Sequence, residues 1–129
     1  MSRFTKPETV TIHLNGGGTD TITIRKRLSA GEARSRVERW TKTDDDGKLV
    51  TVPTRGALAT VTAYLIDWTL TDDNGQRVDI RGLSPADLES VIDSLDPDAF
   101  VEIKQAIERH EGAMYDERET QKKTDGPNA

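Results

Sequence analysis

The sequence predicts an α+β fold: an N-terminal antiparallel β-hairpin or small sheet, then about four helices, then a disordered C-terminal tail. Three observations carry that prediction. Apolar residues alternate every second position in Thr9–Leu14 and again from Thr21 to Leu28. Helix-start signals stand at Ser29, Ser84 and Asp96, each followed by apolar residues at helical spacing. Beyond Glu117 the chain turns polar, which sets a single domain over residues 1–117 and a tail over 118–129.

In the first strand Val10, Ile12 and Leu14 share one face, and Thr9, Thr11 and His13 share the other. Asn15-Gly16-Gly17-Gly18 supplies the positive φ of a tight turn. Ile22, Ile24 and Leu28 then line one face of the return strand. Ser29 and Glu32 have the spacing of a capping box. Ala33, Val37 and Trp40 give the helix behind it a narrow apolar stripe, with an expected end near Lys42. Asp44-Asp45-Asp46-Gly47 reads as a polar turn, and Leu49–Val52 as a short strand or extended loop ended by Pro53.

Ala57–Trp68 is the richest apolar stretch. Leu58, Val61, Leu65 and Trp68 follow helical spacing, which predicts a buried helix, although β-branched Thr60, Val61 and Thr62 weigh against it. Trp68-Thr69-Leu70, followed by Asp72-Asp73-Asn74-Gly75, opens a short hairpin closing through Val78 and Ile80; the alternative is a helix to Leu70 and an ordered loop. Ser84 caps a helix with Pro85 at its first position, and Leu88, Val91, Ile92 and Leu95 form its stripe. A longer last helix opens at Asp96-Pro97-Asp98 and carries Phe100, Ile103, Ile107 and Met114 along one face.

Composition narrows the function classes. The chain has 129 residues, of which 33% are hydrophobic and 32% charged, so its core is modest. With no cysteine there is no disulfide, thiolate metal site or thiol nucleophile. No apolar run reaches the ~20 residues of a membrane span, and MSRFTKPETV lacks an apolar signal core, so export is not expected. Charge is segregated. Arg25–Lys42 holds seven basic residues against two acids, net +5, and Leu65–Phe100 holds nine acids against two arginines, net -7. Such blocks attract each other within a fold or dock copies and partners, so homo-oligomers are allowed. An acidic total and few aromatics argue against nucleic acid.

The usual chemical signatures fail. Aligning the first acidic turn with a calcium loop puts Lys42 at the first ligand position and Pro53 at the last; the second puts Leu70 and Arg81 there. No H-E-x-x-H, G-x-S-x-G or phosphate-binding glycine loop occurs. His13 and His110 read as surface histidines. No catalytic, metal or cofactor residue is expected, and the chain is not expected to be an enzyme.

Three phrases carry a family resemblance: TITIRKRLSAGEARSRV (Thr21–Val37), ATVTAYLIDWTLTDDNGQRVDI (Ala59–Ile80) and SPADLESVIDSLDPDAFVEIKQAIERHE (Ser84–Glu111). The D-W-x-L-T-D-x-x-G pattern at Asp67–Gly75 is the most recognisable. In this layout, over about residues 8–120, the chain resembles the small tail assembly chaperones of long-tailed bacteriophages. The resemblance implies a non-enzymatic protein of the host bacterium's cytoplasm that binds the tape-measure protein and tail-tube subunits during tail morphogenesis. It also implies a second, longer product made by ribosomal slippage, for which codons around Gln121-Lys122-Lys123 are the candidate site. No membrane partner is implied. An apolar groove floor of Phe100, Ile103, Ile107 and Met114, with Trp40 and Tyr64 nearby, is the expected partner surface. The rival expectation is a structural virion component, such as a tail or head-tail joining subunit.

Overall fold

The computed structural model describes residues 2–14 and 18–124. Strands β1 (Thr9–His13) and β2 (Thr21–Arg25) pair antiparallel with Thr11 opposite Thr23. Of the glycine turn expected between them, Asn15-Gly16-Gly17-Gly18, residues 15–17 lie outside the described residues. β2 is central, because strand β5 (Leu65–Trp68) pairs along its other side to give the order β1-β2-β5. Alternation does its work here: Ile22 and Ile24 are fully buried, while the threonines of the opposite face stay toward solvent.

Helix α1 (Ala30–Trp40) opens with the expected capping box. Glu32 N–H donates to Ser29 Oγ at 3.2 Å, and Ser29 N–H donates to Glu32 Oε1 at 2.8 Å. The helix stops at Trp40, short of Lys42, because the next residues form β3 (Thr41–Thr43), paired with β4 (Leu49–Thr51). Asp44 Oδ1 accepts the N–H groups of Asp46 and Lys48 across their turn, and Gly47 takes φ +78°.

Helix α2 (Pro53–Tyr64) starts at Pro53 and ends at Tyr64, so the helix predicted over Ala57–Trp68 is corrected at both ends. Pro53 is an N1 proline that starts a helix rather than ending a strand. The misreading of Leu65–Trp68 has a physical cause. Trp68 pairs with Ile22, Asp67 with Thr23 and Leu65 with Ile24, leaving Ile66 as an extra residue. That bulge turns both Leu65 and Trp68 into the core three positions apart, the spacing of a helix.

Beyond β5 the chain makes the short hairpin rather than a longer helix. Val78 N–H donates to Leu70 C=O, Thr71 bridges Arg77, and Gly75 takes φ +77°. Helix α3 (Pro85–Asp93) is capped by Ser84. Helix α4 runs from Pro97 to Thr124, so residues 118–124, expected to be disordered, are helical. Arg118–Lys122 contains only helix-compatible residues, and Lys122 pairs with Glu119 one turn back. The first glycine and proline after that turn are Gly126 and Pro127. Residues 125–129 of the expected tail lie outside the described residues. Helices α2, α3 and α4 and the sheet meet in one core, centred on Ile22, Val61, Trp68, Ile92, Ile103 and Ile107, whereas α1 buries no residue fully and lies against α2. Among the described residues no helix is long and apolar enough to cross a membrane.

Candidate functional site

The core-facing stripe of α4 proceeds Ile103, Ile107, and then reaches Glu111 at the same four-residue step. A carboxylate on that stripe must find partners, and it does. Arg36 of α1 forks onto it, with Nη1 to Oε2 at 2.6 Å and Nη2 to Oε1 at 3.2 Å. Tyr64, the last residue of α2, donates its hydroxyl to Oε2 at 2.6 Å. One carboxylate thus ties three helices together. The Arg36 guanidinium also lies 6.0 Å from the Tyr64 ring centroid, and the His110 ring meets Tyr64 edge-on at 6.4 Å. His110 is not a free surface histidine: its Nε2 sits 2.8 Å from Lys26 C=O.

These contacts set the protonation states. Burial alone raises the Glu111 pKa, but the hydrogen bonds from Arg36 and Tyr64 and the nearby positive charge outweigh it, leaving the carboxyl below its ordinary value. Burial, followed by the bond to Glu111, drives the Tyr64 phenol well above its ordinary value, so it stays protonated. A depressed carboxyl pKa contributes stability above the unfolded value, about 4.3. That contribution is lost as pH falls through the folded value. Glu111→Gln should therefore lower stability at pH 7 by ~1 kcal/mol, a modest figure because the pair is about one-third exposed. It should also flatten the loss of stability between about pH 5 and pH 3. Urea unfolding across that range checks both; parallel curves for the two proteins would show that folding does not lower the Glu111 pKa.

Over this network opens a cleft of about 690 Å³ between the β2–α1 connection and the far half of α4. Leu28, Ala33, Met114 and Tyr115 supply its apolar surface. Lys26, Arg27 and Arg118, facing Glu108 and Asp116, supply a rim of both signs. Of the four residues expected to form the groove floor, the structure brings only Met114 here. Ile103 and Ile107 are 0% exposed and belong to the core, and Phe100 packs half-buried against it. Both isoleucines are enclosed in the core, so neither offers its side chain to a partner. Trp40 is also elsewhere: its indole Nε1 lies 3.0 Å from where a Cβ on Gly56 would sit, so it packs on α2. Tyr64 does line the cleft.

The basic block is largely spent inside the fold. Arg25 pairs with Glu32, Lys26 with Glu8, Arg36 with Glu111 and Arg39 with Glu89 of α3. The acidic turns are likewise used on their own backbone: Asp72 Oδ1 accepts N–H groups from Asn74 and Gln76. Among the described residues no group of three or more histidine or acidic side chains is placed to hold a metal ion. No family model matches the chain, and neither a curated protein nor a solved structure matches it.

Proposed function

We propose that the chain is a tail assembly chaperone that takes an amphipathic helix of the tape-measure protein into the cleft beside α4. The observation that carries this reading is the cleft itself, an apolar strip with a rim of both charges. Such a surface holds the apolar face of a helix and releases it again, because rim pairs contribute little in water. A catalytic reading finds no comparable support: the Arg36–Glu111–Tyr64 network is internally satisfied and joins three helices.

Gly112 adds to the case. It sits inside α4, where glycine weakens a helix by about 1 kcal/mol relative to alanine. Among the described residues, no atom other than its chain neighbours and the nearby backbone of its own helix lies within 4 Å of a Cβ built there, so the fold itself does not require the glycine. It lines the cleft, and a bound helix would use the room. Gly112→Ala should raise the stability of the free protein by ~1 kcal/mol and weaken partner capture. Thermal melting and co-purification of the tape-measure protein read the two effects separately. A variant that is more stable and captures equally well would remove Gly112 from the binding surface.

On this reading tail-tube subunits and a slippage-extended form of the chain are further partners. A slippery heptamer in codons 115–126 is the observation that tests the latter. Abundance of the protein in finished particles would favour the virion-component reading instead.

A further inference from the structure

We propose that the open edge of β1 is a self-association surface, through which two copies of the chain pair β1 against β1 antiparallel, centred on Thr11. The two edges of the sheet are treated differently, and the contrast carries the proposal. At the β5 edge the outward backbone groups of Trp68 are capped. Its N–H donates to Asp67 Oδ1 at 2.9 Å, its C=O accepts from Arg77 Nε at 3.0 Å, and Arg77 Nη2 bonds Asp67 at 2.7 Å. A further strand cannot add there without breaking that clasp.

The β1 edge has no such cover among the described residues. Lys26 N–H donates to Glu8 C=O and Leu14 N–H donates to Asp20 C=O, so even-numbered residues of β1 bond toward β2. The alternation of an antiparallel ladder then turns the N–H and C=O groups of Thr9, Thr11 and His13 outward. The strand TVTIH carries no lysine, acid or proline, the residues that normally blunt an edge.

This edge is self-complementary in one register. With Thr11 opposite Thr11 of a second copy, Thr9 faces His13, and Val10 faces Ile12 on the inner side. Val10 and Ile12 are half-buried in the single chain and would be covered as a β-branched cross-strand pair. The same phase places Pro7, which has no N–H to donate, at the outward position that ends the ladder. Pairing therefore stops after one strand length and closes a two-fold dimer with a continuous sheet, with the capped β5 edges at its ends.

The absence of cysteine makes the register directly testable. Opposed residues of an outward pair have Cα atoms about 5.5 Å apart, within disulfide reach. The full chain at ~100 µM should sediment as a dimer, an affinity regime suited to a short edge ladder. Thr11→Cys should give a disulfide-linked dimer on mild oxidation. Thr9→Cys and His13→Cys should each stay monomeric on denaturing gels, whereas a mixture of the two should cross-link. Thr11→Lys, with like charges facing at the two-fold, should give a monomer with an unchanged circular dichroism spectrum. Thr11→Pro, which removes only an outward N–H, provides a second disrupting variant. A monomeric wild type at that concentration, or a dimer that survives both Thr11→Lys and Thr11→Pro, would overturn the proposal. These readouts need no tape-measure protein, so they stand apart from the chaperone reading.

Discussion

Trp68→Ala is expected to destabilise the domain by about 3–5 kcal/mol, the range for truncating a buried tryptophan. Trp68 is 2% exposed and stands where β5, the following hairpin and the helices meet. Its indole Nε1 also donates to Val78 C=O at 2.7 Å, so truncation leaves that carbonyl without its partner as well as a cavity. A domain of this size has a total stability of roughly 5–15 kcal/mol, so the loss is a large fraction of it. Chemical unfolding followed by circular dichroism should show a much lower midpoint. Trp68→Phe should fall between, because it keeps a ring and loses the hydrogen bond. An unchanged midpoint for Trp68→Ala would place the indole at the surface.

Ile107→Ala should cost about 2–5 kcal/mol, and Ile103→Ala a similar amount. Both side chains are fully enclosed, so the effect falls on folding whether or not a partner is present. Val101, 44% exposed on the same helix, is the control: Val101→Ala should stay within ~0.5 kcal/mol. Met114→Ala should likewise change stability little while weakening partner capture. If Ile107→Ala left the midpoint unchanged and abolished capture, the isoleucine stripe would be the docking floor after all.

The sequence makes the hairpin, the capping box at Ser29 and the presence of four helices legible, because each is set by local chemistry: alternation, caps and spacing. Leu65–Trp68 was illegible for a specific reason. A one-residue bulge reproduces helical spacing within a strand, and pairing with β2 is a contact over some forty residues of chain that no local pattern encodes. The D-W-x-L-T-D-x-x-G phrase turns out to describe fold chemistry. Asp67 and Arg77 clasp the β5 edge, Trp68 fills the core, and Asp72 with Gly75 shapes the hairpin turn.

The cleft was legible only in part. Met114 shows in the periodicity, and so does Glu111 for a reader who asks why an acid continues the Ile103–Ile107 series. Arg36 and Tyr64 come from other helices, and only packing brings them to Glu111. Gly112 looks like an ordinary weak point in a helix until the cleft shows the empty space beside it.

The most direct test is the solubility of the tape-measure protein when co-expressed with this chain and with a cleft variant. Met114→Asp together with Tyr115→Asp adds charge to the apolar strip, and it leaves the core residues untouched. With the wild-type chain the tape-measure protein should stay in the soluble fraction and co-purify. With the double variant, still folded by circular dichroism, it should precipitate. Equal solubility with both, or precipitation with both, would contradict docking in this cleft.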